Sequence, residues 1–283
     1  MQTADTIKGV KELTRHWKKS GRTVGFVPTM GFLHEGHLSL IKASIKENDH
    51  TVVSIFVNPI QFANSEDFAS YPKDFGADEA LCKSAGVDLI FYPAADEIYP
   101  PGFSTYVRME GLTAELCGKS RPTHFQGVCT VVSKLLNIVA PDKAYFGQKD
   151  AQQLAVISRM ALDLDMDTQI IGCPTIREAD GLAKSSRNAY LSSKERQAAV
   201  VISKAVFGGE RMVAQGERNA AAVLTTMRAI IESEPLAKID YIEAVDAVTI
   251  EKIETLCGRV LVAVAVFVGE TRLIDNFIAS CEG

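Results

Sequence analysis

Between residues 23 and 171, short apolar runs of strand length alternate with stretches of helical periodicity, which leaves the chain few folds to adopt. The runs at 23–28, 51–57, 87–92, 143–146 and 168–171 read as buried strands. Between them, 37–47 sets Leu38, Ile41 and Ile45 on one helical face. Residues 72–84, with Pro72 in the first turn, 127–139 and 152–164 also read as helices. A leading helix is marked by Ile7, Val10, Leu13 and Trp17 and stops at Ser20-Gly21. Strands alternating with helices of this length build parallel β-α-β units. Open parallel sheets bind ligands beyond the carboxyl ends of their strands, near a topological switch point. Chemistry is therefore sought directly after each strand.

Beyond about residue 176 the texture changes. Helical stretches at 193–215 and 220–233 precede strand-like runs at 238–245, 259–268 and 273–277, which suggests a smaller α+β domain. The expected division is 1–175 and 176–283.

Bulk properties exclude several classes. A chain that is 47% hydrophobic and 23% charged can build a core and is too apolar for disorder. The net charge of −5 argues against a nucleic-acid binder with a broad basic surface. The best apolar run, 260–268, is about half the ~20 residues a membrane span needs, and the first residues are polar where a signal peptide is apolar, so a cytoplasmic enzyme is expected. Six scattered cysteines without a CxxC pair read as reduced thiols, and no dedicated metal site is expected.

Three segments carry phosphate chemistry. In Pro28-Thr29-Met30-Gly31-Phe32-Leu33-His34-Glu35-Gly36-His37, Gly31 and Gly36 permit close backbone approach, and the helix start offers unpaired N–H groups and a positive dipole end. His34 and His37 could donate hydrogen bonds to a leaving pyrophosphate. They could equally be structural, or metal ligands, although HEGH is not the HExxH of zinc proteases. In Tyr145-Phe146-Gly147-Gln148-Lys149-Asp150, a Gly and a Lys at a helix start suit a nucleotide, with Gln153 one turn on from Lys149; a solvated loop capped by Asp150 is the alternative. Gly181-Leu182-Ala183-Lys184-Ser185-Ser186-Arg187-Asn188 sets two cations around a Ser-Ser pair, either an anion-binding loop or a surface turn. Three such segments in one α/β chain favour an enzyme that binds a nucleotide through its phosphates.

Taken together, PTMGFLHEGH, SIFVNPIQF, RPTHFQGVCTVVSKLLNIVAPDKAYFGQKDAQQL and READGLAKSSRNAYLS resemble the pantoate–β-alanine ligase family from about Val24 to Leu191, and more weakly to the C-terminus. The resemblance implies a Rossmann-like parallel sheet of the HIGH-type nucleotidyltransferase superfamily, with the smaller domain closing over ATP. It implies condensation of pantoate with β-alanine through a pantoyl adenylate, as a homodimer, with Mg²⁺ arriving on ATP. The implied ATP site comprises Met30, Gly31, His34, Gly36, His37, Gly147, Gln148, Lys149, Asp150, Ile176, Lys184, Ser185, Ser186 and Arg187. Within it His34, His37 and Lys149 are the implied catalytic residues. The family casts His37 as a proton donor, although adenylate formation needs charge stabilisation more than proton transfer. Gln61 and Gln153 are implied for pantoate, Gln61 also for β-alanine, and Asn58, Tyr71 and His124 for the pocket lining. Lys184 departs from the family, which commonly has a hydrophobic residue there. The rivals are an adenylyltransferase acting on a phosphate ester, against which the neutral Gln61 and Gln153 argue, and a nucleotide sensor without turnover.

Overall fold

The computed structural model describes residues 1–62 and 68–282. It divides into two compact units, the first comprising Met1–Met109, Thr123–Gln148 and Val156–Pro174. The second takes in not only Thr175–Gly283 but also Glu110–Pro122 and Lys149–Ala155, an arrangement that no single cut near residue 175 can express.

The first unit is built on a six-stranded parallel sheet: β1 (Gln2–Ala4), β2 (Val24–Thr29), β3 (His50–Ile55), β4 (Leu89–Phe91), β5 (Lys143–Gly147) and β6 (Gln169–Cys173), in the order β1-β4-β3-β2-β5-β6. The chain runs outward from β2 through β3 to β4, then returns to place β5 on the other side of β2. The switch point therefore lies between β2 and β5. Thr29 and Gly147, the last residues of those two strands, open directly into two of the three phosphate-friendly segments.

Helix α1 (Ile7–Lys19) is capped by Thr6, and α2 (Glu35–Glu47) and α3 (Phe75–Ala85) follow β2 and β3. Val27, Val53 and Ile90 from the strands join Ile41 of α2 and Cys82 of α3 in one core layer. Phe26, Val52 and Leu89, the alternate strand residues, point to the other face. Pro72 stands outside α3, because Asp74 takes the cap by accepting Ala77 N–H at 3.0 Å. Two short helices, α4 (Ala95–Ile98) and α5 (Leu116–Ser120), precede the long α6 (His124–Val139), and α7 (Ala151–Asp163) leads to β6.

In the second unit the helical stretch expected at 193–215 is two helices, α8 (Ser193–Ala198) and α9 (Val200–Ala214), broken at Ala199. After α10 (Ala220–Glu232) comes an antiparallel sheet of β7 (Ala237–Asp246), β8 (Gly258–Val268) and β9 (Thr271–Cys281). The last strand is longer than the 273–277 run suggests, pairing with β8 as far as Cys281 opposite Gly258. One face of this sheet packs Val260, Val262, Val264 and Phe277 against Ile202, Val206 and Met227 of the helices. The other face packs Leu261 and Ala263 against Leu116 and Ala151.

Candidate functional site

Beyond β2 the backbone turns sharply, with Gly31 at φ +85° and Phe32 at φ +53°. A Cβ on Gly31 would lie 3.0 Å from Asp78 Oδ2 and from Ile55 Cγ2, so glycine is required for fit as well as for conformation. Asp78 of α3 pins the turn by accepting Phe32 N–H at 2.9 Å and Leu33 N–H at 2.6 Å. Burial lifts its carboxyl above the ordinary aspartate value, against the pull of those two donors.

His34 is the N-cap of α2. Its Nδ1 accepts Gly36 N–H at 3.1 Å, and Nδ1 of His37 accepts the N–H of His34 at 3.2 Å. The rings lie 4.1 Å apart between centroids. With both Nδ1 atoms accepting, the network assigns the ring proton of each imidazole to Nε2. Two neutral N–H donors thus stand at the positive end of a helix. That arrangement suits charge stabilisation at phosphate, whereas a proton on Nδ1 would break the cap.

Beyond β3, Asn58 (1% exposed) is fully engaged. It donates to Gln61 Oε1 at 3.0 Å and to Gly127 O at 3.1 Å, and accepts from the Tyr99 hydroxyl at 2.7 Å. Gln61 in turn donates to Met30 Sδ at 3.1 Å, and His124 Nδ1 lies 3.0 Å from Gln61 O. The first unit therefore brings Met30, Asn58, Gln61 and His124 into one connected group, with Gln61 held amide-first at its centre. Tyr71 is buried and meets Phe62 edge-on at 6.0 Å. Among the described residues no neighbour crowds the Cβ direction of Gly147, and Gln148 follows it at the end of β5.

In the second unit Lys149 and Asp150 end a 3-10 turn, with Lys149 Nζ 3.9 Å from Asp150 Oδ2. Gln153 is half-buried on α7 one turn further on, while the adjacent Gln152 is buried and donates to Leu112 O and Glu115 O at 2.9 and 2.8 Å. Ile176 and Lys184 meet across a hairpin, Lys184 N–H donating to Ile176 O at 2.9 Å. The Lys184 ammonium pairs with Glu178 at 2.8 Å, so its charge is offset within the same hairpin. Ser185 then caps a 3-10 helix, Ser186–Tyr190, accepting Arg187 N–H at 3.3 Å.

Sequence reasoning missed Asp78, Tyr99, Gly127, Arg177 and the Asp275-Asn276 pair. Asp78 carries a signal in hindsight, since it shares a helical stripe with the buried Cys82. Asp275 carries another, standing between Leu273 and Phe277 in a strand alternation. Tyr99 and Gly127 carry none, because their roles depend on partners remote in sequence.

The model of the family described as pantoate-beta-alanine ligase matches residues 2–278. A pantothenate synthetase from Ruminiclostridium cellulolyticum is 57% identical over 277 residues, covering 98% of both chains. One from Acetivibrio thermocellus is 54% identical over 278 residues, 98% of this chain and 99% of its own. Among solved structures, a pantothenate synthetase of Thermus thermophilus superposes with a TM-score of 0.94 at 43% identity, covering 98% of this chain and 99% of that one. The pantoate-beta-alanine ligase of Francisella tularensis, described as complexed with beta-gamma ATP and beta-alanine, gives 0.80 at 37% identity, with 98% and 97% covered. The fold is thus the HIGH-type nucleotidyltransferase fold that the motifs imply. By its sequence over nearly its whole length, and by its architecture, the chain belongs to the pantoate–β-alanine ligase family.

Proposed function

We infer that this chain is an AMP-forming ligase that condenses pantoate with β-alanine, using ATP as co-substrate. A carboxylate is a poor electrophile until it carries a leaving group, so the reaction runs in two steps. A pantoate carboxylate oxygen attacks the α-phosphorus of ATP, the bond to the bridging oxygen of the β-phosphate breaks, and pyrophosphate leaves. The β-alanine amine then attacks the acyl carbon, the bond to AMP breaks, and the nitrogen gives up its proton. The observation that carries this reading is the paired imidazole cap of α2, with both Nδ1 atoms accepting backbone N–H groups.

In this reading His34 and His37 donate from Nε2 to the phosphates as charge builds on the departing pyrophosphate. Lys149 supplies a mobile positive charge to the same oxygens. Met30, Gly31, Gly36, Gly147, Gln148, Asp150 and Ile176 complete the nucleotide site, and Lys184, Ser185, Ser186 and Arg187 form its anion-binding loop. Gln61 and Gln153 hold pantoate by amide hydrogen bonds, Gln61 later contacts β-alanine, and Asn58, Tyr71 and His124 line the pocket. The network around Asn58 supports Gln61 in this role by fixing its amide orientation.

Mg²⁺ fits as a passenger on ATP. Among the described residues no three His, Cys, Asp or Glu side chains cluster, and Asp150 is the one carboxylate in the proposed nucleotide set. Asp150 would lend a single oxygen ligand, with phosphates and water supplying the others. An ion held there would supply charge neutralisation at the phosphates. Among the described residues no helix is long and apolar enough to cross a membrane. The family reading adds a cytoplasmic homodimer, which light scattering would detect as twice the chain mass.

The deciding experiment is exchange of labelled pyrophosphate into ATP with Mg²⁺ present and β-alanine withheld. Exchange that depends on pantoate is the expected result. Folded protein that binds ATP but exchanges only with another acid, or not at all, would overturn the assignment.

A further inference from the structure

Asp275 and Asn276 are consecutive in β9 and point to opposite faces of the antiparallel sheet. Asp275 lies opposite Val264 on the face covered by the helices, and Asn276 lies opposite Ala263 on the other. A carboxylate 2% exposed and an amide 8% exposed thus interrupt two apolar faces at one point. Groups of this kind are buried only with partners. Here each partner leads to one of the two anion-binding elements of the second unit.

Asp275 accepts both arms of Arg177, at 2.7 and 2.9 Å, and Arg177 also donates to Gly181 O at 3.0 Å near the turn of the 176–184 hairpin. Ser185, Ser186 and Arg187 directly follow that hairpin. On the other face Asn276 Nδ2 donates to the backbone carbonyl of Lys149 at 2.8 Å, holding the turn from which that side chain projects. Lys149, Ala183, Ser185, Asn188 and Asp275 line one small cleft. A buried ion pair adds little stability over a well-packed apolar pair, so the fold alone does not account for Arg177 and Asp275.

We propose that Asp275-Asn276 is a positioning pair for adenylate formation. Asn276 fixes where Lys149 stands, and Asp275, through Arg177, fixes the hairpin that presents Ser185 to Arg187. The proposal rests on the reading of Lys149 as the group that stabilises phosphate charge in the first step.

The test is a double-mutant cycle on the full-length enzyme with Asn276→Ala, Lys149→Ala and both together. Each variant is assayed for pantoate-dependent pyrophosphate exchange and for β-alanine attack on supplied pantoyl adenylate. Displacing a catalytic group slightly lowers rates by up to roughly 100-fold. Asn276→Ala is therefore expected to slow exchange by roughly 10- to 100-fold, to spare the second step, and to add no loss once Lys149 is gone. Equal slowing of both steps, or losses that multiply in the double variant, would mark Asn276 as merely structural and overturn the proposal. An unchanged exchange rate in Lys149→Ala alone would instead refute the reading of Lys149, and the pair's role with it. If Asn276→Ala does not fold, Asn276→Asp keeps the shape and removes the donor, and wild-type exchange from that variant overturns the proposal equally. Asp275→Asn should raise the KM for ATP with kcat little changed, and an unaltered KM removes the hairpin half of the argument.

Discussion

An alanine at position 127 would place its Cβ 2.5 Å from Gln61 Cα and from Ile60 O, and 2.6 Å from Gln61 N. All three are backbone atoms, so no change of rotamer relieves the clash. Ordinary contact begins at 3.4 Å, which means α6 and the turn at Pro59–Gln61 must part by roughly 1 Å. Parting strains the bond from Asn58 to Gly127 O and the contact of His124 with Gln61 O. Overpacking of this kind costs about 1–3 kcal/mol, offset by about 1 kcal/mol of helix propensity gained over glycine. The net loss of about 0–2 kcal/mol should lower Tm by no more than several degrees, at about 2–4 °C per kcal/mol for a chain near this size. Activity should fall much further, because a shift of about 1 Å in a substrate-positioning group costs on the order of 100-fold. Gly127→Ala is therefore expected to remain folded, to keep its affinity for ATP, and to need far more pantoate for pyrophosphate exchange. Exchange measured against pantoate at saturating ATP, with ATP binding followed by calorimetry, separates the two. A folded variant with wild-type pantoate dependence would refute the argument that Gln61 is held by this close approach.

Lys184→Met should retain activity, since Glu178 already offsets the Lys184 charge at 2.8 Å; a loss in steady-state rate as large as that of Lys149→Ala would contradict this. His34→Ala and His37→Ala should each slow adenylate formation far more than amine attack, as read in single-turnover assays begun with ATP or with supplied adenylate. Equal losses in the two steps would end the assignment. Asp78→Asn should cost about 1 kcal/mol by leaving one of two half-buried N–H donors without an acceptor. Because burial raises the Asp78 pKa, its contribution to stability is fullest below the ordinary aspartate value of about 4 and is lost as pH rises through the raised one. The stability gap between wild type and Asp78→Asn, measured by urea denaturation, should therefore narrow from acid to neutral pH; a widening gap would refute it.

The alternation of periods was enough to read the parallel sheet and to point to residues 30–37 and the end of β5 as segments that follow strands; that the switch point lies between β2 and β5 needed the strand order. What escaped was either too short or too remote. Strand β1 has three residues and exists by pairing Gln2 with Leu89 at the sheet edge, too brief for any periodicity to register. The break at Ala199 has no local breaker, since alanine is the best helix former, so nothing in the sequence marks it. Gly127 looks like an ordinary helical residue until Asn58, 69 positions away, is placed against it. In the site the histidines were legible as a motif, but their shared role as cap acceptors, which sets the tautomer, required coordinates. Lys184 was legible as an anomaly, and only the hairpin showed Glu178 beside it.

The apolar cluster joining Leu116 and Ala151 to Val245, Ile250, Leu261 and Ala263 bears on how such a chain is made and inherited. One layer of the second unit's core is translated long before the strands it covers, so Leu116 and Ala151 leave the ribosome without their final neighbours. They must wait, exposed or chaperoned, until β8 emerges. The same interleaving constrains descent. A single genetic crossover near residue 175 would separate a sheet from its cover, so recombination between distant relatives should favour exchange of the whole gene over exchange of either half.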